Sequence, residues 1–527
     1  MSEGLLLLVV GALLLGGVLI AFASSRAGVP ALVGFLGLGM LLGSEGIGGI
    51  AFDDAHLART VGVAALAVIL FEGGLTTSWS DVRGVLLPAG MLATVGVVVT
   101  AGVTGAAAYL LFDLSLTASF LLGAIVASTD AAAVFLTLRT SSVRRRLAGL
   151  LEVESGTNDP VAVALTLGLI GMLTAPDEGV VDLLLFLARQ LAIGAAVGLA
   201  LGWAASWAVR RATTSMAPFA AVASLAGAAL SFGAADVLGG SGFLAIYLVG
   251  LCLGNTPNHF RGTLRSFHEG LAYLAQVSLF VVLGLLVFPS DLPPVALSGV
   301  ALAAVLILVA RPLGVLLSLA GQRFKAREVA FVSWAGLRGA VPIVLATFAA
   351  TEGLSQRGTI FNAVFFVVLV SAFVQGTTLE PLARRLGLTT ERPALSRPPI
   401  EVGAVQGADL IEYEVREGHA VAGRRVRELG LPRAALVAVI VREEQAVPPR
   451  GSTRVEAGDR LYVLLRNENR KEMESLMRAW EEGPLPGPAD GAAPDADGSG
   501  ADPVEVVGGE GLPQRQADLP EPPPEGR

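Results

Sequence analysis

The stretch Leu151-Glu152-Val153-Glu154-Ser155-Gly156-Thr157-Asn158-Asp159-Pro160 opens an apolar run that continues to Thr174. It sets carboxylates, an amide and hydroxyls at the mouth of what reads as a membrane-spanning helix. Ionisable side chains are costly at bilayer depth, so several on one span point to an ion or proton pathway. At about 100° per residue, Glu154, Asn158, Ser155 and Asp159 fall within an arc of about 140° and point into one helical face. They can share one hydrated cavity, with Asp159 as the residue expected to carry the traffic. Glu152 reads better as a cap at the helix start. Pro160, tolerated in spans where other groups satisfy the freed backbone, marks this turn as specialised.

The rest of the chain agrees with a membrane protein. Of its 527 residues, 53% are apolar and only 16% charged, and the mean hydropathy is +0.67; this is far from a soluble composition and implies many spans. The net charge of -8 averages a membrane part with basic loops and an acidic tail, so it says little about partners. No nucleic-acid partner is expected. A single cysteine, Cys252, rules out an internal disulfide framework. The first apolar run ends in Ala21-Phe22-Ala23, yet Glu3 and no Lys or Arg precede it, which argues for a first span and against a cleaved signal peptide.

Apolar runs near the length needed to cross about 30 Å of hydrocarbon fall at 4-23, 29-49, 60-76, 85-112, 116-138, 150-174, 182-208, 217-235, 238-254, 270-288, 294-320, 328-350 and 359-383. The expected fold is therefore an all-α polytopic membrane protein of about thirteen helices, followed by a small α+β domain. Lys and Arg accumulate in short cytoplasmic loops. One set of alternate connections holds fifteen of them, including Arg144, Arg145, Arg146, Arg323, Lys325 and Arg327, and the other holds only Arg59 and Arg357. This places the N-terminus outside and everything after residue 385 in the cytoplasm, with His259 and His268 in a cytoplasmic loop.

The expected domains are a membrane domain at 1-385, a linker at 386-399, a soluble regulatory module at 400-468, a short helix at 469-481 and a tail at 482-527. In the module, Ile411-Glu412-Tyr413-Glu414-Val415, Leu436 to Val441 and Arg460 to Leu465 alternate as strands do, and Gly458-Asp459 reads as a turn into the last. After Trp480 there is no aromatic residue, and ten prolines stand among acidic and small residues, a composition that cannot support a core.

Further polar residues mark two interrupted spans. Ser128-Thr129-Asp130 lies deep in the fifth, where a transporter helix would unwind and leave half-helix ends facing a binding site. Asp130 would neutralise the N-terminal dipole of the second half, and Thr129 would offer oxygens to a cation. In the twelfth, Gly336, Gly339 and Pro342 around Arg338 suggest the matching break of an inverted repeat. Neither Arg338 nor Arg311 should be unpaired, and Glu154 is a partner for one of them, leaving Asp159 free to titrate. Glu72, in Phe71-Glu72-Gly73-Gly74-Leu75, reads equally as an interfacial acid and as part of the ion path.

These oxygen groups suit hard cations, the four histidines lack metal-ligand spacing, and no phosphate-cradling loop is present. No cofactor is implied. A lone carboxylate holds one monovalent cation or one proton, so competition for Asp159, exposed alternately to the two sides, amounts to antiport. The stretches FEGGL at 71-75, ASTDAAAVF at 127-135, LEVESGTNDPVAV at 151-163, GGSGFLA at 239-245 and WAGLRGAVPIVLA at 334-346 resemble the monovalent cation:proton antiporters, specifically their bacterial potassium/proton branch. That resemblance implies thirteen spans in two inverted repeats with crossed, unwound fifth and twelfth helices, a homodimer, and an elevator-like movement. It also implies cation contact by Thr129, Ser155, Asp159 and Glu72. Asn158 stands where electrogenic relatives carry a second aspartate, which suggests electroneutral exchange. The segment with GRRVRELGLP and VEAGDRLYVL is similar to the C-terminal domain of regulators of potassium conductance, implying a small cytoplasmic ligand of nucleotide type and favouring potassium over sodium.

Two other classes compete. A ligand-gated potassium channel or uniporter would explain the regulatory module, but there is no Thr-Val-Gly-Tyr-Gly filter. A polytopic membrane enzyme would need a catalytic constellation, which the sequence does not offer.

Overall fold

The computed structural model describes residues 3–27, 30–130, 134, 142–175, 177, 179–212, 217–257, 260–354, 356–390, 408–432, 434–442, 445–466 and 470–484. The chain forms two compact units, Met1–Leu410 and Ile411–Arg527.

The first unit is helical, and its helices follow the apolar runs. They are α1 (Glu3–Ala27), α2 (Ala31–Leu42), α3 (Ala55–Thr76), α4 (Leu86–Leu111), α5 (Leu116–Ile125), α6 (Arg145–Thr174), α7 (Val180–Arg211) and α8 (Ala217–Val237). There follow α9 (Gly242–Gly254), α10 (Arg261–Leu285), α11 (Pro293–Ser318), α12 (Ala326–Trp334), α13 (Ala340–Thr351) and α14 (Arg357–Arg385). Among the described residues eight helices are long and apolar enough to cross a bilayer, and five more apolar ones are shorter. With the periphery facing lipid, exposed Leu, Val, Phe and Trp side chains are the expected outer surface.

Two groups of helices meet along a seam. In one, α1, α2, α3, α8, α9 and α10 pack on one another; in the other, α4, α5, α6, α11, α12, α13 and α14 do so, while α7 touches both α9 and α6. The first group is fixed where α3 crosses α9. A Cβ on Gly250 would overlap the Phe71 carbonyl oxygen and one on Gly254 that of Leu75, so only glycine lets the two backbones touch. In the second group α4 and α11 each carry a π turn, Leu92–Gly96 and Leu306–Ala310. Ser318 Oγ donates to the Met91 carbonyl at 3.1 Å beside the first of these turns. A two-pair antiparallel ladder, β1 (Ser142–Val143) with β2 (Thr389–Thr390), joins the start of α6 to the chain leaving α14.

Two helices begin earlier than hydropathy suggests. α6 starts at Arg145, so Glu152 stands in its third turn and is not a cap. α10 starts at Arg261, and its opening turns are amphipathic: Arg265 pairs with Glu269 at 2.8 Å, while Leu264 and His268 are buried. His268 is thus a helical, buried residue bonded to Ser224 Oγ at 2.8 Å, and not a loop residue. His259 and most of 131–140 lie outside the described residues.

The second unit is a four-stranded sheet in the order β3-β6-β4-β5, from β3 (Ala408–Glu414), β4 (Ala435–Arg442), β5 (Gln445–Val447) and β6 (Arg460–Arg466). β4 pairs antiparallel with both β5 and β6. The segment after Arg424 forms a single 3₁₀ turn, Val426–Glu428. Buried Asp459 receives Arg442 through two bonds of 2.8 and 2.9 Å and so fixes the turn before β6. α15 (Arg470–Glu482) closes the module with Met473, Leu476, Met477 and Trp480 on its inner face. The Trp480 ring is fully buried, packs on Tyr413 with centroids 5.0 Å apart, and its Nε1 donates to the Leu429 carbonyl at 2.7 Å. The expected tail, apart from residues 482–484, lies outside the described residues. Trp480→Ala should therefore destabilise this module by about 3–5 kcal/mol, seen as much faster proteolytic clipping within 408–484 of the full-length protein; unchanged clipping would mean that α15 is dispensable.

Candidate ion site

α5 ends at Ile125, and the chain then runs irregularly through residues 126–130; α12 ends at Trp334, and residues 335–339 are likewise unwound before α13. These two breaks meet. The Asp130 N–H donates to the Leu337 carbonyl at 2.9 Å, and Arg338 Nη1 donates to the carbonyls of Ala127 at 2.7 Å and Ser128 at 2.5 Å. The Arg338 N–H is in turn held by Ser371 Oγ at 2.9 Å, and Ser371 by Gln375. Each break thus supplies partners for groups the other has freed, as an apolar surrounding requires.

Asp130 sits at this crossing. A Cβ on Gly339 would overlap Asp130 Oδ2, so the carboxylate lies directly against the residue that precedes α13. The acid therefore faces the N-terminal dipole of α13. The sequence alone predicts a cap on the second half of its own span, most of which lies outside the described residues.

The α6 motif divides into two sides. Glu154 turns to Arg311, and the two form a charged hydrogen bond with relative exposures of 1% and 3%. Arg311 follows the π turn of α11 and also lies against Gly336 in the second break. Asn158 Nδ2 donates to Thr129 Oγ1 at 2.6 Å, and Ser155 Oγ donates to the Thr129 carbonyl at 2.7 Å. α6 is thereby tied to the first break. Asp159 is 4% exposed, and its Oδ1 has no hydrogen-bond partner among the described residues. Asp130 and Arg338 are its electrostatic neighbours.

A cavity of about 320 Å³ opens onto Asp159, with Ser155, Asp130 and Glu72 among its walls. Glu154 and Asn158 do not line it, so the shared helical face resolves into a cavity side and a bonded side. Glu152 does line it, together with Glu269, Tyr247 and Gln276 from α9 and α10. Glu269, Tyr247 and Gln276 are functional candidates that the sequence reading misses. Gln276, a lone amide in an apolar run, is the one with a legible signal. Arg338, expected to need a paired acid, uses backbone carbonyls instead, while its Nε and Nη2 have no hydrogen-bond partner among the described residues. A second cavity of about 760 Å³ lies along the same seam beyond Asp159; Val163 and Leu167 of α6 face it, as do Arg59, His56 and Phe348.

Against this geometry the comparisons with known proteins are decisive. A family described as "Sodium/hydrogen exchanger, transmembrane" matches residues 10–385. The chain belongs to this family. It is accordingly a multi-pass membrane protein from a family of cation/proton antiporters, a family of transporters and not of enzymes. A TrkA-C domain matches residues 410–478. The chain is similar to the K(+)/H(+) antiporter NhaP2 of Shewanella sp. (strain ANA-3), 41% identical over 481 residues that cover 90% of this chain and 83% of the relative. It is also similar to the K(+)/H(+) antiporter NhaP of Alkalimonas amylolytica, 38% identical with the same coverage. Among solved structures, the sodium proton antiporter MjNhaP1 from Methanocaldococcus jannaschii superposes with a TM-score of 0.64 at 26% identity, over 72% of this chain and 99% of that one.

Removing one member of a buried ion pair leaves an uncompensated charge, which costs about 3–5 kcal/mol. Glu154→Gln should accordingly lower the melting temperature of the detergent-purified protein, and Glu154→Gln with Arg311→Gln should recover part of the loss. Equal melting of wild type and Glu154→Gln would show that Arg311 finds other compensation.

Proposed function

We propose that this chain exchanges a monovalent cation, potassium in preference to sodium, for protons across the cytoplasmic membrane, one for one, with both ions competing for Asp159. The observation that carries this reading is the buried Asp159, a residue of the cavity wall whose Oδ1 has no hydrogen-bond partner among the described residues. An unsatisfied carboxylate in such a place is costly unless a proton or a cation completes it. Ser155, Thr129 and Asp130 are the further oxygen ligands proposed, and Asn158 positions Thr129. Glu72 belongs to the cavity wall through which ions arrive. Glu154 and Arg311 form the charge pair that holds the framework, and Arg338 holds it through backbone carbonyls. The potassium preference follows the names of the relatives.

The local charge balance supports electroneutral exchange. The buried Glu154 and Asp159 and the half-buried Asp130 stand against two buried arginines, Arg311 and Arg338, a sum of one negative charge when all are ionised. One proton or one monovalent cation brings it to zero. The neutral Asn158 adds nothing to that sum.

The proposed architecture is thirteen spans with the N-terminus outside, in two inverted repeats in which span twelve is the counterpart of span five. The breaks after α5 and α12 occupy corresponding places in the two halves, following helices of 10 and 9 residues, and α4 and α11 each carry a π turn. For alternating access, α6 presents Ser155 and Asp159 to one cavity and Val163 and Leu167 to the other. A slide of one to two helical turns, roughly 6–12 Å, carries Asp159 between them, which is an elevator stroke. The domain divisions at 385, 399, 468 and 481, the homodimer, and a nucleotide-type ligand of the cytoplasmic module belong to the same proposal. A channel has less support, since the membrane part matches exchangers.

In inverted vesicles with an imposed acid-inside gradient, added potassium should dissipate the gradient and Asp159→Asn should abolish the response; full activity of the mutant would move the site elsewhere. Collapsing the membrane potential should leave the initial rate unchanged. A rate that follows the potential would overturn the one-for-one stoichiometry.

A further inference from the structure

Arg59 is one of two basic residues in the connections that the charge count places outside, and the ion site does not use it. Its side chain spans the seam from α3 to the end of α13. Nη1 donates to Thr351 Oγ1 at 2.8 Å and to Glu352 Oε1 at 3.1 Å, and the guanidinium carbon lies 4.2 Å from the centroid of the Phe348 ring. Three side chains at one end of α13 converge on one arginine of the opposing helix group. Next to this contact the seam is apolar and tight: a Cβ on Gly62 would stand 3.1 Å from both methyls of Val344, which is fully buried.

The two helices run antiparallel between the two ends of the seam. Glu72 of α3 and Ala340 of α13 border the Asp159 cavity. From these residues, Arg59 and Glu352 lie about 20 and 18 Å away along their helices at about 1.5 Å per residue. The contact therefore bridges α3 and α13 on the wall of the 760 Å³ cavity, at the end of the seam opposite the one where Asp159 is open, and the helix it grips is the one whose first turn meets Asp130. The ion-paired side chains remain 31% and 44% exposed. Such a pair is held weakly and is rehydrated when it parts, which suits a contact broken in every cycle.

We propose that Arg59 is a latch for the exchange cycle, closing the seam at its far end while Asp159 faces the 320 Å³ cavity and releasing Glu352, Thr351 and Phe348 when Asp159 faces the other way. The inference rests on the alternating-access reading of Asp159, but its test needs no transport. In a Cys252→Ala background, Val344→Cys places a thiol behind the latch. Labelling of that thiol in purified protein by a small charged methanethiosulfonate should be slow with Arg59 present. It should be about two- to fivefold faster when Arg59→Gln is added, as expected for losing a partly exposed pair. The exchanged pair Arg59→Glu with Glu352→Arg should return the rate towards the original. Equal labelling rates with and without Arg59→Gln, or no recovery in the exchanged pair, would overturn the latch. Vesicle exchange is measured in parallel: loss of cation-dependent proton movement with the labelling pattern intact would overturn the function and leave the latch standing.

Discussion

A helix cannot be interrupted inside an apolar medium unless the backbone groups it frees find partners, because water is not there to supply them. Here two interruptions supply each other. Asp130 N–H binds the carbonyl of Leu337, and Arg338 binds the carbonyls of Ala127 and Ser128. The remaining features are arranged around this exchange of bonds. α6 attaches to it through Ser155 and Asn158, α11 through Arg311 at Gly336, and α14 through Ser371.

This arrangement leaves one acid unclaimed. Glu154 is committed to Arg311, and Asp130 lies against the start of α13. Asp159 alone of the three combines a place on the cavity wall with an oxygen that has no hydrogen-bond partner among the described residues. Ser155 donates its hydroxyl hydrogen to the Thr129 carbonyl, so the same oxygen can also act as a cation ligand. The polarity of the site thus follows from which hydrogens are already spoken for, and not from the number of acids nearby.

Much of this is legible in the sequence, and the failures have physical causes. Long apolar runs mark helices wherever all faces are buried or meet lipid, so α4, α7, α11 and α14 can be read directly. The first turns of α6 and α10 cannot, because one polar face lowers the average hydropathy; Glu152, Glu269 and His268 are misread or missed for that reason. Helical spacing puts Glu154, Asn158, Ser155 and Asp159 on one face, but an arc of about 140° is wide enough to touch both a cavity and a neighbouring helix. Which residue meets which depends on α5 and α11, and one helix's period holds no information about its neighbours. The unwound segments are signalled by Ser128-Thr129-Asp130 and by the glycines around Arg338, whereas their mutual pairing is a tertiary fact.

Gly339 gives the crossing a genetic signature. Any side chain there would drive its first carbon into the Asp130 carboxylate. The two positions, far apart in the chain, therefore behave as one inherited character. A lineage that gains a side chain at 339 must shorten or displace the acid at 130, and one that keeps the acid has no neutral route away from glycine. Drift at this point is all-or-none, in contrast to the lipid-facing surface, where one apolar residue replaces another with little consequence.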